Sequence, residues 1–196
     1  MLASITPLGE RGRHANWWIT ASAFLLASSA AGAVLGGALG ALGSFALPGS
    51  FGARARLLAL GVAVLGALLV DVYARRVPGP RRQVDERWLH AYRGWVYGAG
   101  YGAQLGLGVS TVVSSAAMYA SFLAALLSGD PGRGATILGC FGALRGATLF
   151  LGIGVRDPER LVSFHARLTR WRAPTARLAA ISLGAVSVLS VIGAAT

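Results

Sequence analysis

Arg145 is the residue whose type and position most strongly predict chemistry in this chain. It lies near the centre of an apolar stretch, residues 134–155. A charged side chain at the centre of a bilayer costs about 2.5–3.5 kcal/mol even on the lenient insertion scale. We therefore expect Arg145 to meet a partner carboxylate, a watery cavity or an anionic substrate. The alternative is a structural arginine bonded to backbone and hydroxyl groups.

Polar side chains that could bond to Arg145 lie in the preceding apolar stretch, residues 95–127. They are Gln104, Ser110, Thr111, Ser114 and Ser115. Ser and Thr in a membrane helix commonly bond to their own backbone, so these hydroxyls have a structural interpretation as well. With Arg145 they form the predicted polar site, for transport or for contact with a partner.

The remaining reactive residue types do not form a catalytic pattern. Cys140 is the single cysteine, so the sequence offers no CxxC pair for redox chemistry or metal binding. The histidines, His14, His90 and His165, all lie in charged segments rather than in apolar ones. An intramembrane hydrolase would need a base beside its nucleophile. We therefore predict a protein that is not an enzyme and has no cofactor and no metal.

Composition predicts a membrane protein. Hydrophobic residues make up 55% of the 196 residues and charged residues only 13%, about half the charge density of a soluble domain. The net charge of +11 comes from arginines that lie close to apolar segments. This placement favours membrane topology and anionic lipid headgroups over nucleic acid, which we do not expect as a partner.

The apolar segments predict an all-α fold, a polytopic transmembrane helix bundle forming a single membrane domain over residues 1–196. About 20 apolar residues are needed to cross a bilayer. Five segments reach or approach that length: 17–47, 57–74, 95–127, 134–155 and 178–195. The segment 95–127 would extend about 50 Å as one helix, so it must either tilt strongly or break. The predicted break is near Gly106-Leu107-Gly108.

Arginine distribution predicts the orientation of these spans. Arginines concentrate between the second and third spans and between the fourth and fifth, and basic loops stay cytoplasmic. The predicted topology is N-in and C-out, in a bacterial inner membrane. The charged stretch 10–14 leads into a span too long for a cleavable signal peptide. Two amphipathic helices, 84–93 and 158–172, are expected on the cytoplasmic face, the second starting at Asp157-Pro158-Glu159.

Glycines at four-residue spacing predict close helix packing. A four-residue interval places small residues on one face of a helix, where two backbones can approach. A docking face for another subunit, or a seam that slides during transport, is the alternative. The glycines are Gly32, Gly36, Gly40, Gly94, Gly98, Gly102 and Gly106.

Two stretches resemble a known family of membrane proteins. Residues 22–70 form a glycine-rich span, a turn at Pro48-Gly49 and a second span, and residues 141–146 read Phe-Gly-Ala-Leu-Arg-Gly. Both are similar to the CcdA/DsbD-type thiol-disulfide transporters and the wider LysE-like superfamily. The resemblance implies their helical scaffold. The cysteine pair through which that family moves electrons has no counterpart beside Cys140.

Two functions follow from these features. The first is a non-catalytic membrane subunit, or an assembly or accessory factor, of a larger inner-membrane complex. Its partners would be the lipid bilayer, including anionic lipids, and other membrane subunits or a second copy of the chain. The alternative is a small LysE-like secondary transporter or exporter with a site around Arg145 and the broken third span. Coupled carriers usually place a carboxylate or histidine in the membrane, and no span clearly contains one, which favours the first.

Overall fold

The structure, a computed structural model, describes residues 5–47, 51–73, 88–108 and 116–195, and the regular elements in these ranges are all helices. The helices are α1 (Pro7–Gly12), α2 (Trp17–Ala46), α3 (Ala53–Tyr73), α4 (Trp88–Ala91), α5 (Gly94–Leu107), α6 (Ala117–Ser128), α7 (Pro131–Ala147) and α8 (Pro158–Ala195), with a 3-10 helix at Thr148–Gly152. The predicted all-helical class is confirmed.

Four of these helices are long and apolar enough to cross a membrane. They are α2, α3, α8, and α7 together with its 3-10 extension. Large apolar side chains on their surfaces face outward; Val62 and Leu189 are each 67% exposed. Apolar surface on this scale is unusual for a soluble monomer and is what lipid requires. The chain is a polytopic helical membrane bundle.

The predicted third span, 95–127, is divided between two shorter helices. Helix α5 ends at Leu107, and Gly108 follows with φ 67°, in the left-handed region that favours glycine. Helix α6 begins at Ala117, so α5 and α6 have 14 and 12 residues. Each is shorter than the ~20 residues that a straight crossing needs. The break lies where the sequence predicted it, and crossing by this segment stays a prediction.

The end of the chain differs from the predicted arrangement. An amphipathic helix at 158–172 and a separate span at 178–195 were expected, but α8 runs without interruption through both, from Pro158 to Ala195. Pro174 lies inside it and removes one backbone N–H donor. Arg and Ala, which have high helix propensity, flank Pro174 on both sides, so the helix continues.

The predicted helix at 84–93 ends earlier in the structure. Residues 84–87 lie outside the described residues, and α4 covers only Trp88–Ala91. Arg93 has extended backbone angles, φ −66° and ψ 153°, because it is the residue from which α5 starts. Because the extended residue Arg93 precedes α5, the helix before it cannot continue to residue 93.

Side-chain caps explain where several helices begin. Thr6 accepts a hydrogen bond from the Gly9 N–H at the start of α1, and Asn16 accepts one from the Trp18 N–H at the start of α2. Asp157 accepts from the Arg160 N–H at 2.8 Å, with Pro158 in the first helical position. Such caps satisfy N–H groups that have no partner within the helix.

The chain contains two compact units. The first comprises the described parts of Met1–Gly32, Arg82–Thr111 and Gly139–Arg172. Its core is formed by large side chains from the start of α2, from α4 and α5, and from the 3-10 helix. They include Trp17, Phe24, Leu89, Tyr97, Tyr101 and Leu149.

The second unit comprises the described parts of Ala33–Arg81, Val112–Leu138 and Ala173–Thr196. Its core is made of smaller residues, Val64 and Ala67 from α3 against Ala116 and Ala120 at the start of α6. Small side chains allow the two helices to approach closely, which is how helices associate when lipid supplies no hydrophobic drive.

Candidate functional site: a buried carboxylate beside a basic cleft

Glu10, on the short helix α1 of the first unit, is the most completely buried charged residue in the described parts of the chain, with no exposed surface. Its Oε1 lies 2.6 Å from Nη2 of Arg13, one turn later. The Tyr97 hydroxyl lies 2.7 Å from Oε1 and 2.6 Å from Oε2 and donates to the carboxylate. The Thr20 hydroxyl donates to Oε2 at 2.9 Å. Both carboxylate oxygens are therefore bonded.

These four residues connect three elements of the first unit. Glu10 and Arg13 belong to α1 and the residue after it, Thr20 to the first turn of α2, and Tyr97 to the first turn of α5. Glu10 and Tyr97 are 87 residues apart in sequence. The Glu10 cluster, as we call these four residues, thus fixes the amino-terminal segment against two helices.

Arg13 is held on both sides of its guanidinium. Burial lowers its pKa, but the hydrogen bonds and charge interactions with Glu10 and Tyr97 outweigh this, so the pKa stands above its ordinary value. Its Nε lies 3.4 Å from the Tyr97 hydroxyl oxygen, and its guanidinium carbon lies 5.7 Å from the centre of the Tyr97 ring. The cation is therefore fixed in place at the edge of the cluster.

The local backbone explains how Glu10 reaches this position. The chain turns sharply between α1 and α2, where His14 has φ 55° in the left-handed region and the Ala15 N–H donates to the Glu10 carbonyl at 2.9 Å. On α5, a Cβ at Gly94 would lie 2.5 Å from Thr20 Oγ1. Glycine at 94 therefore lets α5 approach α2 closely enough to bring Tyr97 to the carboxylate.

An open cleft of about 580 Å³ lies beside this cluster. Its walls come from the turn between α1 and α2, from the first turns of α2, and from the residues that lead from α4 into α5. The lining includes Arg13, His14, Asn16, Tyr92, Arg93 and Trp95. We call it the basic cleft, because Glu10 itself is not part of its surface and, among the described residues, the charged side chains that line it are arginines.

The structure describes part of the predicted polar site. Arg145, on α7, is half-buried and its guanidinium carbon lies 5.6 Å from the centre of the Phe141 ring, a cation–π distance. Gln104, on α5, is also half-buried. Ser110, Thr111, Ser114 and Ser115 lie outside the described residues. The site predicted from these six residues therefore stays a prediction.

In the second unit, charged side chains at opposite ends of α3 bond to opposite ends of α6. Asp71 Oδ1 accepts from the Ala116 N–H at 2.6 Å. Arg56 donates to the Ser128 carbonyl oxygen at 3.4 Å. A carboxylate at the start of a helix and a guanidinium at its end both interact favourably with the helix dipole. The bond to Ala116 was not predicted from the sequence.

Five of the spaced glycines lie against neighbouring backbone. A Cβ at Gly98 would lie 2.6 Å from the Thr20 carbonyl oxygen, and Cβ atoms at Gly102 and Gly106 would overlap the Phe24 and Ser28 carbonyls. These contacts are between α5 and α2 within the first unit. In the second unit, Gly36 and Gly40 on α2 meet the backbone of residues 130 and 134 in the same way.

Ser28 adds a side-chain bond to this packing. Its buried hydroxyl donates to the Gly142 carbonyl oxygen at 2.8 Å, which connects α2 to α7 within the first unit. This serine was not among the residues that the sequence singled out. It lies at the four-residue interval before Gly32, so the glycine spacing itself was the available signal.

Sequence reasoning also missed the Glu10 cluster. Glu10 was taken as part of a charged cytoplasmic stretch, whereas it is buried. The available signals were local: Thr6-Pro7 as a helix start, and Glu10 and Arg13 three residues apart on one face. Nothing in the sequence indicated that Tyr97 would meet them.

Comparison with known proteins decides the family. The chain is 33% identical over 198 residues to the methylamine utilization protein MauF of Paracoccus denitrificans, covering 98% of this chain and 67% of that protein. It is 31% identical to MauF of Paracoccus versutus, covering 99% of this chain and 69% of that protein. The chain belongs to the MauF family. No family model matches it, and no solved structure matches it.

Membership of the MauF family corrects one prediction. The resemblance to CcdA/DsbD-type transporters and the LysE-like superfamily is wrong, because the relatives that match nearly the whole chain are MauF proteins. The motifs behind it were glycine-rich spans and a Phe-Gly run before Arg145. Those features follow from close packing of membrane helices, a need that unrelated membrane proteins share.

Proposed function

We propose that this chain is a non-catalytic accessory membrane protein for methylamine utilisation, acting in the bacterial inner membrane with one or more partner proteins. The observation that carries the proposal is the 33% identity to a methylamine utilization protein over 98% of the chain. A relationship over the whole bundle supports a shared role better than a match confined to one motif would.

The geometry of the described residues supports an accessory role. In the Glu10 cluster, the carboxylate is bonded on both oxygens by Arg13, Thr20 and Tyr97, an arrangement that holds elements in place. The first half of α8 carries exposed arginines, including Arg160, Arg167 and Arg170. A basic surface of this kind suits contact with anionic lipid or with an acidic partner.

Growth of the native host tests the proposal. A strain without the gene should fail to grow with methylamine as sole carbon and nitrogen source and should grow normally on succinate with ammonium. A plasmid copy of the wild-type gene should restore growth. Normal growth of the deletion strain on methylamine would contradict a role in methylamine utilisation.

The same complementation assay tests the predicted role of Arg145. If Arg145 contacts a partner or ligand, Arg145→Ala should fail to restore growth while the protein accumulates to its normal level in the membrane. The control is Arg133→Ala, which removes an equal charge from an exposed position and should complement. Full complementation by Arg145→Ala would leave Arg145 a structural residue.

Purified protein separates the accessory role from its alternatives. Reconstituted alone in liposomes, the chain should neither consume methylamine nor carry labelled methylamine inward faster than protein-free liposomes do. Turnover by the purified chain would make it an enzyme, and specific flux would make it a transporter.

A further inference from the structure

We propose that the basic cleft binds the headgroup of an anionic phospholipid. The cleft lies within the first unit, between the turn that joins α1 to α2 and the residues that lead into α5. This assignment is independent of the role in methylamine utilisation, because it rests only on the charge, shape and surroundings of the cleft.

The charge of the cleft favours a phosphate. Arg13 and Arg93 line it, together with His14. Guanidinium groups bind phosphate oxygens through charge-assisted hydrogen bonds. The nearby carboxylate has no exposed area and its charge is paired with Arg13, so Arg93 supplies the net positive charge that attracts an anion to the cleft.

The Glu10 cluster also fixes the geometry of one wall. Arg13 is bonded to Glu10 at 2.6 Å, and its side chain is only 19% exposed. A ligand that meets this guanidinium does not have to order a mobile side chain first, which reduces the entropy cost of binding. Arg93 is exposed and supplies the cation that can adjust to the headgroup.

The surroundings of the cleft favour a lipid over a free anion. Tyr92 and Trp95 line it and are 53% and 54% exposed. Tyr and Trp side chains are enriched at the level of lipid headgroups, and this pair brackets Arg93 in sequence. Basic pockets beside membrane helices are a known form of headgroup recognition. A volume of about 580 Å³ is ample for a phosphate and its glycerol.

Lipid binding to the purified full-length chain tests the proposal. In neutral detergent, native mass spectrometry should show phosphatidylglycerol binding at least about fivefold more tightly than phosphatidylcholine, since each arginine near a headgroup contributes about 1 kcal/mol. Inorganic phosphate at millimolar concentration should not displace the lipid. Equal binding of the two lipids, or displacement by phosphate alone, would overturn the assignment.

Matched variants locate the binding site. Arg93→Gln should weaken phosphatidylglycerol binding about fivefold, and Arg93→Lys should keep most of it. Arg11→Gln removes the same charge from an exposed residue that does not line the cleft, and it should change binding less than twofold. Equal losses in Arg93→Gln and Arg11→Gln would show diffuse attraction and refute the site. If Arg93→Gln does not fold, the wild-type lipid comparison and Arg93→Lys still test whether the cleft binds the headgroup.

Discussion

At the scale of single residues, Glu10 shows what a buried charge requires. Taking a carboxylate out of water costs several kcal/mol unless its oxygens are bonded and its charge is paired. Arg13 supplies the opposite charge, while Tyr97 and Thr20 supply hydroxyl donors. Removing one member of such a set leaves a buried polar atom with one bond unmade, which costs more than the bond itself contributes.

Glu10→Gln tests this argument. The amide keeps the size of the side chain but removes the charge beside Arg13 and places an NH2 group among donors. Because Arg13 retains some exposure, we expect a loss of about 3 kcal/mol, the lower end of the range for a broken buried pair. Thermal unfolding in detergent should show a clear fall in Tm.

Glu159→Gln is the control for that measurement. Glu159 is exposed in the first turn of α8, where a charge is worth about 0.3–1 kcal/mol. Its Tm should change little. A double-mutant cycle with Tyr97→Phe adds a second check: the combined loss should be smaller than the sum of the single losses, since the two residues share one bond. Strict additivity would show that Glu10 and Tyr97 act separately.

Contacts between individual residues were also the feature that the sequence predicted least well. Arg145 was found from its sequence because a charge in an apolar run stands out by composition alone. Glu10 was not, since its environment is created by Tyr97 from a helix 87 residues away. Local spacing predicts contacts along one helix, but it holds no information about which helices meet.

At the scale of elements, glycine placement decides how closely α5 approaches α2. The Cβ of an alanine at Gly102 would overlap the Phe24 carbonyl, and backbone cannot move aside as a flexible side chain can. Other glycines lie in open space; Gly66 on α3 has no neighbour within 4 Å of a Cβ. The two glycines therefore have the same helix propensity, but Gly102 is packed against backbone whereas a Cβ at Gly66 would have open space around it.

Gly102→Ala and Gly66→Ala form a matched pair of predictions. Gly102→Ala should destabilise the protein by about 1–3 kcal/mol through overpacking. Gly66→Ala should leave stability unchanged or raise it by up to ~1 kcal/mol, because alanine favours the helix. Tm in detergent measures both, and equal effects would contradict the packing described for α5 and α2.

Element boundaries were predictable where local chemistry sets them. Asp157-Pro158 marked the start of α8, and Gly106-Leu107-Gly108 marked the end of α5, since caps and left-handed glycines act within a few residues. The continuation of α8 through Pro174 was not foreseen. A proline removes one hydrogen bond, and whether a helix tolerates that loss depends on its neighbours.

At the scale of the whole molecule, composition and the lengths of the apolar segments were enough to predict an all-helical membrane bundle. Four of the described helices have the length and apolarity to span, whereas the broken segment α5–α6 leaves the number of crossings to be measured. If that segment crosses, residue 154 lies on the same side as the amino terminus. If it enters and returns, residue 154 lies on the opposite side.

Single-cysteine labelling distinguishes these topologies. In a Cys140→Ser background, Gly12→Cys, Gly52→Cys and Gly154→Cys each introduce a side chain where nothing lies within 4 Å. For five crossings with the amino terminus inside, an impermeant maleimide should label only Gly52→Cys in intact spheroplasts, and all three after permeabilisation. Labelling of Gly154→Cys from outside would show that α5–α6 does not cross.

The bond between Glu10 and Tyr97 has a consequence for biogenesis. A ribosome adds about 5–20 residues per second, so the 87 residues that separate the pair take roughly 4 to 17 seconds to synthesise. During that interval the nascent chain contains the carboxylate and Arg13 but not the tyrosine that completes their burial. We therefore expect the amino-terminal segment to stay hydrated at the membrane surface until α5 has been made, and to join the bundle after α2 and α3.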